Sequence, residues 1–351
     1  MATSHQPESL EHVGSPSAEP TMRALVQDCY GPPNVLHLAQ VARPVPAEGE
    51  VLVRVEAASV NARDWHIMRG EPRIARLMDR SIFDWGAPRV RVRGTDFAGV
   101  VEGVGSGVRD WAVGDRVFGE ASATLAEYVA APVNAMARVP EGATMEQAAA
   151  LPLAGTTALE CLRAADPAGG SKVLVNGASG GVGTFIIQLA RSRGLHVTAV
   201  CSARNSGQAR GLGAERVIDY ATEDFTTADT TYDVVVDLVG NRSLSDLRRV
   251  VAPSGSLVLS GGGVPGEGRI VGAVGLLIKA QLLKQRRGPS VFVPQAVPTH
   301  DTLQVLAGLL EAGAISSRIE RTFDFELSAA ALRHLETEHA RGKVVVVMGH
   351  R

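Results

Sequence analysis

The amino-acid sequence predicts an α/β fold in two parts: a doubly wound parallel sheet, and a second unit built mostly from short strands. Three observations carry this. From about residue 144 apolar strands alternate with amphipathic helices, a glycine cluster sits at one strand-to-helix junction, and the chain before 144 reads as strands broken by Gly and Pro. With 351 residues, 45% apolar and 21% charged, the chain is ordinary globular material and long enough for two domains. Its 35 basic and 37 acidic residues give a net charge of −2, so there is no overall positive field for phosphate backbones or anionic lipid. Nucleic acid and membrane are therefore not expected ligands.

Residues 1–21 carry no apolar stretch and no Lys or Arg, so they read as a disordered tail, not a secretory or transit signal, and a cytoplasmic protein is expected. From Met22 come MRALVQ, VLVRVEAASV, FAGVVEGVG and DRVFGE, all short strands. A helical stretch interrupted by Pro152 and Gly155 follows. Strands KVLVNG, HVTAVCS, RVIDY, YDVVVDLVG and SLVLSGG then alternate with helices, as expected of βαβ units whose sheet is covered on both faces. The last part reads helix, loop, helix and strand, returning to the first unit. The apolar stretch 270–287 ends in a basic cluster, but its uninterrupted run stops before Lys279. That is short of the ~20 residues a span needs, so it reads as a surface or subunit-contact helix. Cys29, Cys161 and Cys201 have no metal-ligand spacing and read as small buried hydrophobes in a reducing compartment.

The strongest motif is KVLVNGASGGVGTFIIQLA at 172–190. An apolar strand running through glycines into a helix leaves free N–H groups and the positive end of the helix dipole facing outward, which suits a dinucleotide pyrophosphate. Ser179, Gly180, Gly181, Val182 and Gly183 are the candidate cofactor loop. An NAD site would place Asp or Glu near the end of the second strand to bond the ribose 2′-OH; here Cys201, Ser202, Ala203 and Arg204 stand there. A hydroxyl and a guanidinium suit a 2′-phosphate, so NADPH is the expected cofactor, with Ser202 and Arg204 at the phosphate and Tyr220 beside the adenosine.

On these residues, and on GEVLVRVEAASVNARDWHIMRG, GTDFAGVVEGVG, AAALPLAGTTAL, GAERVIDY, DVVVDLVGN and the terminal ARGKVVV, the chain from Met22 to Met348 resembles the zinc-independent, quinone oxidoreductase-like branch of the medium-chain dehydrogenase/reductase superfamily. The resemblance implies a GroES-like catalytic domain from 22–142 and 291–351, a Rossmann NADP-binding domain over 143–290, and a homodimer. Zinc members carry a Cys where this chain has Asn61 and a His where it has Thr95, so no metal is expected. The implied reaction is NADPH-dependent hydride transfer to a quinone or to a carbon–carbon double bond conjugated to a carbonyl. Two alternatives stay open: a pathway-specific reductase of specialised metabolism acting on an aromatic or polyketide-like ketone or enone, and an NADPH-binding sensor without turnover.

By the same correspondence Asn61, His66 and Thr157 are the candidate catalytic residues, each with a competing structural role: a turn Asn, a packed His, a Thr bonded to its own helix. Asp64 reads as a helix cap or loop-orienting residue. Asn241, Gly262, Phe292 and Val293 are expected to line the cofactor cleft, and Lys343 to stand near the cofactor phosphate. Between Gly70 and Gly94 an insertion carries Arg73, Arg76, Arg80, Arg89, Arg91 and Arg93 with Phe83 and Trp85, read either as a rim of the cleft or as a solvated face.

Overall fold

The computed structural model describes residues 20–261, 288–338 and 340–349. Residues 1–19 of the expected 1–21 tail, Gly262 and the apolar stretch 270–287 lie outside the described residues, and Thr21, the expected last residue of that tail, already opens the first strand. β1 (Thr21–Gln27) and β2 (Leu36–Ala42) pair antiparallel as a separate ribbon. β3 (Glu50–Val60) follows, and α1 (Ala62–Arg69) begins two residues later, ending at Gly70, whose φ of 61° only glycine adopts without strain. Next come the short α2 (Ala75–Met78), then β4 (Asp96–Val104), β5 (Arg116–Glu120), β6 (Tyr128–Pro132), β7 (Met136–Arg138) and α3 (Met145–Ala149).

α4 (Pro152–Ala165) starts on a proline, whose missing N–H costs nothing in a first turn. Strand and helix then alternate through β8 (Lys172–Asn176), α5 (Gly181–Ser192), β9 (His196–Cys201), α6 (Ser206–Leu212), β10 (Arg216–Asp219), β11 (Tyr232–Asp237), α7 (Leu244–Arg249), β12 (Val251–Leu259) and β13 (Ser290–Phe292). These six strands form one parallel sheet in the order β10-β9-β8-β11-β12-β13. The chain winds outward from β8 in one direction and from β11 in the other, which opens a crevice at their carboxyl ends. Val173, Leu174 and Val175 of β8 are wholly buried, as a strand covered on both faces must be.

The chain returns through α8 (His300–Glu311), β14 (Ile319–Asp324), α9 (Ser328–Thr337) and β15 (Lys343–Val347). β15 pairs with β3, completing a seven-stranded sheet of order β14-β15-β3-β4-β5-β7 with β6 added on β3. One apolar core runs through both sheets: Phe185, Ile186, Leu159 and Leu162 pack in the same cluster as Ala57, Phe118 and Val345. Cys161 and Cys201 are buried as expected; Cys29 is exposed, because it stands just past the end of β1, outside any apolar layer. No helix among the described residues is long and apolar enough to cross a membrane.

Candidate active site

The turn between β8 and α5 is shaped by its backbone. Gly177 takes a φ of 87°, and Gly180 is the extended N-cap of α5, with no side chain capping the helix. A Cβ on Gly183 would lie 2.4 Å from the Gly177 carbonyl oxygen, so this glycine lets helix and strand pack. A Cβ on Gly180 would meet only that same oxygen, at 3.5 Å, so nothing in the fold itself demands glycine there. The result is an uncovered helix N-terminus twelve residues long in its helix, with half-buried Gly180, Gly181 and Val182 around it, suited to an anionic pyrophosphate.

Neighbouring strand ends gather beside that turn. Asn176 Nδ2 donates to Asp237 Oδ1 at 2.8 Å and to Asn241 Oδ1 at 3.2 Å, tying β8 to the loop after β11. Ser179 Oγ accepts from Asn205 Nδ2 at 3.0 Å. Ser202 is half-buried at the end of β9, and Arg204 Nη2 donates to the Glu338 carbonyl at 3.0 Å, across from the last helix of the chain. Tyr220 is exposed after β10. Phe292 is half-buried in β13 opposite Val258, and Val293 packs beside Val291.

Across the crevice a buried polar cluster joins the ends of β3, β4 and β15. Asn61 N donates to Asp64 Oδ2 at 2.7 Å, so Asp64 sits inside the first turn of α1 and satisfies the entering backbone. The Asn61 side chain donates to Asp96 Oδ2 at 2.9 Å and accepts from Lys343 Nζ. Asp96 also accepts from Ser59 Oγ at 3.1 Å and from Leu153 N, at the start of α4. Lys343, expected near the cofactor phosphate, is buried beside the glycine turn: it is 2% exposed, with Nζ 3.7 Å from Asp96 Oδ2. Its stem runs under the cofactor loop, where a Cβ on Gly181 would come 3.0 Å from Lys343 Cδ, and Gly342 bridges to Gly180. The lysine thus ties the glycine turn to Asn61. Burial lowers the Lys343 pKa and raises that of Asp96, while each charge opposes the other's shift.

The other two catalytic candidates have local partners. Thr157 Oγ1 donates to the Leu153 carbonyl at 2.7 Å within α4. His66 stacks on Trp65 at 3.8 Å, and its Nδ1 lies 2.9 Å from the Glu71 carbonyl. A carbonyl only accepts, so Nδ1 carries the proton and Nε2 is left an acceptor; burial lowers the ring's pKa and keeps it neutral. Of the insertion arginines, Arg76 donates to the Gly70 carbonyl and lies over Tyr30, Arg80 lies 5.5 Å from the Trp85 ring, and Arg91 pairs with Asp28. Arg93 is buried and caps the Val90 and Val92 carbonyls, so it belongs to the loop's interior.

Two side chains escaped the sequence reading. Glu120 ends β5 directly opposite Asp96, and Arg63, two residues past Asn61, donates to Glu120 Oε1 at 2.7 Å. Burial is the largest influence on Glu120, and with Asp96 and Asp64 nearby it pushes the carboxyl up to about 7 against the pull of Arg63. The one available signal was an acidic residue closing the apolar strand RVFGE.

Residues 47–141 match the family model for the alcohol dehydrogenase GroES-like domain, and residues 212–346 that for a zinc-binding dehydrogenase. A chloroplast envelope quinone oxidoreductase homolog of Arabidopsis thaliana is 31% identical over 342 residues, spanning 93% of this chain and 98% of the relative. An NADPH-dependent alkenal/one oxidoreductase of the same plant is 32% identical over 93% of this chain and 79% of its own. The solved quinone oxidoreductase of Coxiella burnetii superposes with a TM-score of 0.80 at 31% identity, covering 93% of this chain and 99% of that one. This chain belongs to the quinone oxidoreductase-like family of the medium-chain dehydrogenase/reductase superfamily. The CurK enoyl reductase, at 24% identity and a TM-score of 0.79, shares the fold.

No group of three or more His, Cys, Asp or Glu gathers among the described residues, and the Asn61–Asp96 pair is already faced by an ammonium. The glycine turn, by contrast, fits a dinucleotide, since no side chain caps its helix end and Gly180 and Gly181, at the start of that helix, carry none to block approach.

Proposed function

We propose that this protein is an NADPH-dependent, zinc-independent reductase of quinones or of carbon–carbon double bonds conjugated to a carbonyl. The observation that carries the reading is the bare N-terminus of α5 facing, through Lys343, the Asn61–Asp96 cluster of the other sheet. Relatives named as quinone and alkenal/one oxidoreductases support the substrate class. Ser179, Gly180, Gly181, Val182 and Gly183 would hold the pyrophosphate, Ser202 and Arg204 the 2′-phosphate, Tyr220 the adenosine, and Asn241, Phe292 and Val293 the far wall of the cleft. NADPH supplies a hydride when bound. The chain's own contribution is to orient the two walls and stabilise charge without a metal, as preorganised hydrogen-bond donors can. In this reading Asn61 works from within the buried cluster, its amide held at both ends, and His66 and Thr157 support the cleft.

The proposed division remains a GroES-like catalytic unit and a Rossmann unit, active as a cytoplasmic homodimer; sedimentation of the purified chain tests the last point. The function itself is tested by following the reduced-nicotinamide absorbance with a panel of quinones and enones. Oxidation of NADPH by some members of the panel is the expected result. Tight binding without oxidation of any of them favours a sensor.

A further inference from the structure

We propose that Glu120 is the acid that delivers the proton of the reaction, and that Arg63, bonded to it, faces the negative charge growing on the substrate oxygen. The proposal rests on the reductase reading above. An alkene conjugated to a carbonyl that takes a hydride at carbon leaves an electron pair spread over the adjoining carbon and oxygen. One proton then completes the saturated carbonyl, and a quinone likewise needs hydride plus proton to become a hydroquinone. In this step the Glu120 O–H bond breaks, a C–H or O–H bond forms on the substrate, and the carboxylate left against Arg63 is reprotonated from water. The hydride comes from the reduced nicotinamide.

The geometry singles out this pair. Asp96 and Glu120 are cross-strand partners, so their side chains stand on the same face of the sheet. Asp96 and Lys343 are almost wholly buried, whereas the Glu120 and Arg63 side chains are 17% and 39% exposed, so the polar cluster meets solvent at this pair. One Glu120 oxygen takes Arg63; the other, Oε2, is shielded and has no hydrogen-bond partner. An ionised oxygen left unbonded in such a place is costlier than a protonated one. The charged groups facing Glu120 are Arg63 and Asp64 from α1 and Asp96 from β4, with Lys343 beyond Asp96; on the other neighbouring strand, β7, Met136 stands opposite Gly119. The carboxyl's rise to about 7 allows it to hold and release a proton near neutrality. His66, the sequence candidate for this task, has its one proton committed to the Glu71 carbonyl.

The test uses the full-length wild type, E120Q, E120D and R63Q. In the cofactor-free protein, infrared difference spectra of wild type minus E120Q, in which the Asp64 band common to both cancels, should show a carboxylic-acid band that titrates near neutral pH. A wild type without such a band, or one whose carboxyl titrates in the ordinary range, overturns the proposal. With NADPH and a benzoquinone or an aliphatic enone, wild-type kcat should fall as pH rises through that midpoint. E120Q should keep NADPH affinity within about threefold while kcat drops by about 100-fold or more and the alkaline limb disappears. E120D should restore part of kcat together with the limb, which covers the case in which E120Q does not fold. R63Q removes the charge that holds the carboxyl down, so the limb should move to higher pH. If E120Q retains wild-type kcat and pH profile, Glu120 is not the donor although the protein is a reductase. If the wild type binds no NADPH and reduces no acceptor, the reductase reading itself fails, whatever the infrared titration shows.

Discussion

The two walls of the crevice are built in opposite ways. The parallel-sheet wall makes its site from backbone: a turn of glycines and a bare helix end within one contiguous stretch, Lys172 to Ala190. The other wall makes its site from side chains brought together across the chain, with Lys343 reaching Asn61 over a separation of 282 residues. A site of backbone dipoles needs no charge to be buried and tolerates change wherever the ligand is not touched. A site of buried charges is held by mutual neutralisation, so that removing one member leaves another exposed to a low-dielectric interior. The contrast teaches that binding and chemistry in this protein should fail separately.

The largest effect should come from breaking the side-chain wall. Lys343→Met leaves Asp96 buried without its counter-charge and should cost about 3–5 kcal/mol of folding stability in a denaturant titration. Removing both charges at once, in the Asp96→Asn, Lys343→Met double variant, should recover most of that loss. Full additivity of the two single losses would mean that the charges do not compensate each other.

On the backbone wall the reverse pattern is expected. Gly180 has φ near −77° and ψ near 177°, which any residue adopts, and its Cβ position is open. Gly180→Val should therefore melt near the wild-type temperature yet weaken NADPH binding by roughly 100-fold, because the side chain stands where the pyrophosphate approaches. Equal losses of stability and affinity would show that the glycine serves the fold and not the ligand.

Glu120 sharpens the comparison through pH. Its pKa in the folded protein stands above the ordinary 4.5, at about 7, so between those values the folded state holds a proton that the unfolded state has released. Stability from this group is complete below that window and is lost as pH rises through it. E120Q should accordingly gain on the wild type by about 2–3 kcal/mol between pH ~5 and pH ~8, measured by paired denaturant titrations. A constant difference across the range would remove the buried acid from the account. Asp64, raised to about 6 by burial, titrates in both proteins and so cancels in this comparison.

The smallest effect concerns cofactor choice. Arg204→Gln should cut affinity for NADPH about tenfold and leave NADH nearly unchanged, since one charge-assisted contact to a 2′-phosphate is lost. Parallel losses for both cofactors would assign the arginine to the Glu338 contact instead.

These contrasts also explain how much was legible in the sequence. The parallel sheet and its glycine turn were read correctly because their signals are local: apolar strands, helical periodicity and a junction glycine are all contiguous. The fold of the other wall was readable through motif order, but its chemistry was not. Lys343 follows Arg341 and Gly342, so nothing beside it in sequence marked it as buried; only the valines after it hinted that β15 is a buried strand between β14 and β3. Glu120 carried no motif, and its meaning depends on standing opposite Asp96, a register that no local pattern reveals. Asn61 was singled out from its motif, and both ends of its amide are taken up inside the cluster, which spacing along a chain cannot show. Cys29 was misjudged for the same reason, since burial follows from the end of a strand and its neighbours, not from residue type.

The central claim is that the bare helix end between the two walls holds a phosphorylated dinucleotide. A fluorescence titration of the wild type and Gly180→Val with NADPH and NADH addresses it directly. Saturable NADPH binding, tighter than NADH and largely lost in the variant while its melting temperature is retained, is expected. Absence of NADPH binding to the wild type, or equal binding by the variant, would contradict it.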